Sequence, residues 1–149
     1  MTKRMKAHKA VLSVLLWTWT GTVYFFMEVI WKTLHGRADS ISWTMLLLAV
    51  ILAIPLERCG AEMPWHASLC LQGIVCGVAI TAAELLSGLI LNVWLGLGIW
   101  DYSGLPLNFM GQICLPFFGV WCLLSIPGIV ILDWLRYAVE GGERPHYHV

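Results

Sequence analysis

Two carboxylates sit where a lipid bilayer would exclude them. Glu28 lies late in one long apolar run and Glu84 near the middle of another. A charged side chain at the bilayer centre costs roughly 2.5–3.5 kcal/mol on insertion scales, and such groups persist where they face a helix bundle or a wet cavity. Polar residues gather around both at helical spacing. Glu84, Gly88 and Asn92 recur every four residues, as do Thr20, Tyr24 and Glu28, so each trio shares a helix face. Thr81 and Ser87 flank Glu84, and Gly88 leaves room beside its carboxyl. Farther along, Asp101, Asn108 and Gln112 crowd into WDYSGLPLNFMGQIC. Such a set could bind a solute or a cation, or pass a proton between carboxyl groups. Glu84 stands out, because its span holds no Lys or Arg to neutralise it.

Four apolar stretches must position these groups: residues 10–31, 41–59, 67–94 and 108–135. Charged residues are 12% of the chain, about half the ~25% of a soluble domain. The first stretch, as a helix, would run ~33 Å and cross a ~30 Å hydrocarbon core. The third exceeds that need, which predicts that it tilts or emerges from the bilayer. Short connections at 36–40, 60–66 and 94–107 carry turn signals, and no linker or repeat interrupts them. The expectation is an all-α fold, a polytopic four-transmembrane-helix bundle forming one membrane domain over residues 1–149. Nine Trp suit the membrane–water boundaries. The basic start resembles a signal peptide, but its apolar run is too long and no small-x-small site follows, so a retained helix is expected.

Lys and Arg counts predict the orientation. With the N-terminus inside, Lys3, Arg4, Lys6, Lys9, Arg58, Arg136 and Arg144 are cytoplasmic, against Lys32 and Arg37 outside. Both termini are then cytoplasmic, and Glu28, Asn92, Asp101, Asn108 and Gln112 lie in the outer half above Glu84. The pattern predicts an outward polar pocket floored by Glu84. Simpler roles compete for several of these residues. Asp101 to Gly104 suits a type I turn, Asn108 can cap the fourth helix, and Gln112 can join helices. Glu28 can pair with Lys32 one turn on, and Glu57 with Arg58 reads as a boundary pair. Gly73 and Gly77 form a GxxxG that permits close helix approach. Pro55, Pro116 and Pro127 are placed to bend helices. The five cysteines contain no CxxC, and four fall in apolar runs. The His146-x-His148 tail reads as a disordered polar terminus. A net charge of zero with no basic face leaves nucleic acid out.

The stretch LNVWLGLGIWDYSGLPLNFMGQICLPFFGVW, with Glu84 upstream and Glu28 in the first span, resembles the bacterial membrane family grouped as ABC-transporter type IV. The matching positions are Glu28, Glu84, Trp100 to Ser103, Asn108, Gly111, Ile113 and Cys114. The chain departs from many members in its short connection between the first two spans. The resemblance implies a permease-like component of the bacterial inner membrane.

Three functions compete on this reading. The first is a transport component binding a solute or coupling cation at Glu84 and Glu28, with Asn92, Asp101, Asn108 and Gln112 around them. It has no phosphate-binding loop and no cofactor motif, so ATP hydrolysis would need a separate ATPase. Its four helices enclose little volume, so a homo-oligomer or another membrane subunit is expected. The second is an accessory subunit whose polar groups serve helix association. The third is an intramembrane enzyme on an envelope or lipid-linked substrate, with Glu84 and Asp101 as acid and base.

Overall fold

The computed structural model describes residues 3–148, with side chains from His8 onward. Four helices form: α1 (Lys3–Leu34), α2 (Trp43–Glu62), α3 (Leu69–Gly88) and α4 (Leu115–Glu140). Each holds a stretch long and apolar enough to cross a membrane, so the chain is an all-α, multi-pass membrane protein. The side chains of Lys3, Arg4 and Lys6, which weigh in the orientation count, lie outside the described residues. Leu15, Phe26, Ile30, Ile51, Val78 and Leu123 stay exposed along the helices. Lipid accepts such faces, provided the backbone bonds internally. Thr18 and Thr33 do the same with their hydroxyls, donating to the carbonyls of Val14 and Val29 at 2.8 and 2.7 Å.

Helix α1 lies on α2, α3 lies on α4, and α2 touches both members of the second pair. Lipid tails are as apolar as leucine, so close packing must hold these helices together. Small residues mark where backbones meet. A Cβ at Gly21 would stand 2.6 Å from the Val50 Cα, so α1 and α2 can approach there only without one. The Gly73–Gly77 pair works the same way against Cys122, as the GxxxG spacing predicts. Ser42 and Ser68 cap α2 and α3, their hydroxyls accepting from Thr44 N and Leu71 N.

The third run is one helical span, Leu69–Trp94, in which α3 passes into a π-helical segment at Leu89–Trp94. One boundary differs from the sequence reading. The fourth helix begins at Leu115, not Asn108. Asn108 is therefore not its cap. It lies in strand β1 (Asn108–Phe109), paired antiparallel with β2 (Ile113–Cys114), Asn108 facing Cys114. Leu107, Met110 and Gly111 have φ of 51°, 53° and 68°, a region a right-handed helix cannot use. Helix α4 starts directly after the hairpin, with Pro116 in its first turn, where a missing N–H costs nothing. Residues 95–114 thus fold into a cap over one end of the bundle, the loop end.

The opposite end, which carries both termini, is also built differently from expectation. Glu57 is 3% exposed and takes its ion pair from Arg136 of α4. Ser13 Oγ and Trp17 Nε1 also donate to it, at 3.1 and 3.4 Å. Arg58 Nε also lies 3.8 Å from Glu57 Oε2, the neighbour pair the sequence suggests, and its guanidinium bonds Glu62 at 2.9 Å. The tail is docked, not disordered. Leu69 N donates to His148 O at 2.7 Å, Tyr147 OH to Asp133 Oδ2 at 3.1 Å, and His146 stacks on Trp65.

The α3–α4 contact generates a test. Gly77→Val is expected to lower the thermal midpoint in detergent, at a cost of about 1–3 kcal/mol for the overlap with Cys122. Gly119→Ala, with open space around it, should leave the midpoint unchanged or raised. Equal midpoints for both variants would show that the helices do not meet at Gly77.

Candidate functional site

Glu84 projects from the C-terminal part of α3, one turn before its end, and is 5% exposed. Both carboxyl oxygens are held: Tyr102 OH donates to Oε1 at 2.8 Å, and Trp121 Nε1 donates to Oε2 at 2.9 Å. One donor comes from the cap and the other from α4. The Tyr102 ring stacks on Phe117 at 4.5 Å, and Trp121 packs against Phe117 and Tyr24. Burial, and then the nearby Glu84 charge, push the Tyr102 hydroxyl above its usual range, so it remains a donor.

Glu28 comes from α1. Its Oε1 meets Lys32 Nζ at 3.0 Å, the pairing that i,i+4 spacing predicts. Its Oε2 is buried and has no partner among the described residues. Lys32 also donates to the carbonyls of Ser40, at 2.9 Å, and Ile99, at 3.4 Å. It therefore ties α1 to the first connection and to the cap.

Glu28 and Glu84 line one cavity of about 440 Å³, walled also by Tyr24, Trp100, Tyr102, Phe117 and Trp121, with Asp101 and Arg37 among its lining residues. Asp101 is exposed, and its Oδ1 accepts from the Ser103 backbone N–H and hydroxyl. Those two bonds hold its carboxyl below the usual range. The hydrogen-bonded turn runs one residue later than expected, from Tyr102 O to Leu105 N at 2.9 Å.

The other three candidates do not line this cavity. Asn92 donates to Gln112 Oε1 and Trp100 O at 2.9 and 3.1 Å, and its Oδ1 accepts from Ile99 N at 2.7 Å. Gln112 Nε2 donates to Met110 O at 2.9 Å. Asn108 donates to Leu105 O at 2.8 Å and accepts from Gly111 N at 3.2 Å. These amides are consumed in folding the cap. Gly88 makes room for Gln112 and Trp100, not for the Glu84 carboxyl, since a Cβ there would stand 2.6 Å from Gln112 Oε1. Ser87 spends its hydroxyl on the backbone of its own helix.

Tyr102 and Trp121, the two donors to Glu84, are not among the binding candidates that the sequence suggests. Trp121 does leave a signal. It falls inside an apolar run, away from the boundary where its N–H could reach water, so it needs a buried acceptor. Among the described residues, no group of three or more His, Cys, Asp or Glu gathers to hold a metal.

The family described as "Putative ABC-transporter type IV" matches residues 46–141, which includes Glu84, the whole cap and α4. No curated protein matches the chain, and no solved structure does.

Tyr102→Phe keeps the ring on Phe117 while leaving Glu84 Oε1 without its donor. The loss of a bond to a charged group should destabilise the chain by about 1–3 kcal/mol, measured by thermal unfolding in detergent. An unchanged midpoint would mean that Tyr102 does not hold the carboxyl.

Proposed function

The chain belongs to the ABC-transporter type IV family, and from that membership we propose that it is a permease-like component of a transport system in the bacterial inner membrane. In this reading both termini are cytoplasmic, the loop end faces outward, and the cavity at Glu84 and Glu28 binds a solute or a coupling cation. The carrying observation is the state of Glu84. Its two partners are neutral donors, so the carboxyl is fixed in position and its charge, when ionised, is not cancelled. A cation entering the cavity would meet an oriented carboxylate in surroundings where charge attraction is stronger than in water. Glu28, by contrast, is already matched by Lys32.

The bundle is thin, and its helices leave little interior for a path. Translocation therefore calls for a second copy or another membrane subunit, and ATP hydrolysis for a separate ATPase, since the chain has no phosphate-binding loop. One observation favours the second reading, an accessory subunit: Asn92, Asn108 and Gln112 all serve the cap and leave the cavity with fewer polar groups. The acid–base enzyme is the weakest of the three, because Asp101 Oδ1 is already engaged by Ser103.

Glu84→Gln tests the first reading cleanly. Its amide can accept from Trp121 and donate to the Tyr102 oxygen, so both hydrogen bonds survive while the charge is removed. The expected result is failure to complement a deletion strain at unchanged abundance and thermal midpoint. Full complementation would overturn the binding role and leave the accessory subunit. Orientation has its own check, in a Cys70→Ala background. A membrane-impermeant maleimide should label Asp101→Cys in intact cells and Glu143→Cys only after permeabilisation, and the reverse pattern would invert the topology.

A further inference from the structure

A second cavity, of about 320 Å³, continues from the first along α1, α2 and α4. Tyr24, Ala49, Leu52 and Trp121 wall both. The character changes sharply between them. Above lie Glu84, Glu28 and Lys32; below, the lining is Trp19, Val23, Met27, Leu56, Leu124 and Ile131 with little polar relief. Ser125, one of its hydroxyls, already donates to Trp121 O at 2.7 Å. Val23 and Ile131 are 41% and 47% exposed, so the groove is open at its side towards the level of lipid.

We propose that the ligand of this site is a cationic amphiphile, its charged head at Glu84 and its apolar tail in the groove between α1, α2 and α4. The inference rests on the reading of the Glu84 cavity as a binding site and adds the class of substrate.

Three features select that chemistry. First, sign: Glu28, Glu84 and Asp101 face the upper cavity against Lys32 and Arg37. Lys32 is committed to Glu28 and two carbonyls, and Arg37 lies at the exposed rim, so the deepest ionisable group without an opposite charge beside it is the acid Glu84. Second, the wall beside Glu84 is a continuous run of rings, Tyr102 on Phe117, Phe117 on Trp121, Trp121 on Tyr24, with centroids 4.5, 6.3 and 5.9 Å apart. Aromatic faces attract an ammonium group and tolerate the methylenes attached to it. Third, continuity: a small hydrated cation would use the upper cavity alone and leave the groove unexplained. A long chain attached to the cation fills both. Because the bilayer is itself apolar, the groove adds selectivity through shape and little hydrophobic drive.

The test uses purified protein in phosphatidylcholine nanodiscs, with binding to empty nanodiscs subtracted. Three radiolabelled probes are compared: hexadecyltrimethylammonium, tetramethylammonium and hexadecanoate. Saturable binding of hexadecyltrimethylammonium is expected, weakened about tenfold or more by Glu84→Gln, the scale of one lost charged interaction. Val23→Trp, which fills the groove from a half-exposed position, should weaken the long-chain cation by a similar factor and leave tetramethylammonium unchanged. Glu84-dependent binding of tetramethylammonium that equals the long-chain probe, with Val23→Trp silent, would overturn the amphiphile and leave the cation site intact. Preference for hexadecanoate would overturn the choice of charge. Binding of neither cation would overturn this inference and the Glu84 site together.

Discussion

The loop end of this bundle depends on one buried carboxyl and its two donors. Glu84 lies in a helical stretch long and apolar enough to cross a membrane, where a charge costs several kcal/mol, and it is held by Trp121 from α4 and Tyr102 from the cap. Those bonds join α3 to α4 and bring the cap down onto the helices. Tyr102 can reach Glu84 only if residues 95–114 fold inward, and the amides of Asn92, Asn108 and Gln112 do that folding. Gly111 makes the crossing possible, since a Cβ there would stand 2.7 Å from Asp101 Oδ1. A loop that is half apolar is thereby kept in one shape, with Ile99 and Trp100 buried against Met45 and Leu48 of α2.

Charge is segregated along the bundle. Glu28, Lys32 and Glu84 occupy the loop end, and Glu57 and Arg136 the end that carries the termini. Between them the interior is apolar, with Cys76 and Ile129 fully buried. The two charged ends differ in kind. At the termini, Glu57 is matched by a guanidinium, and a buried matched pair has no charge left to offer. At the loop end, the Glu84 carboxyl is oriented by two neutral donors, and no cation pairs with it among the described residues.

Much of this was legible in the sequence, where the governing contacts are local. Four spans follow from run length, the Glu28–Lys32 pair from i,i+4 spacing, and the α3–α4 approach from Gly73 and Gly77. Contacts between distant residues were not legible. Glu57 and Arg136 are 79 residues apart, and the nearer Arg58 offered a simpler partner. Gly21 stands alone, with no small neighbour at helical spacing to announce a contact with Val50. The hairpin at 108–114 pairs only two residues per strand, too few for alternation to show, so its apolar residues read as the start of α4. Asn108 suits both a helix cap and a hairpin, and the positive φ of Leu107 and Met110 settles which.

The most direct measurement is a solid-state NMR distance between the Glu84 carboxyl carbon and the Trp121 indole nitrogen in lipid bilayers, with Glu84→Gln identifying the Glu84 signal. A weak but resolvable carbon–nitrogen dipolar coupling is expected, in keeping with the 2.9 Å separation of Oε2 and Nε1. Absence of coupling in folded protein would mean that the carboxyl faces elsewhere, and the cavity would lose its charged floor.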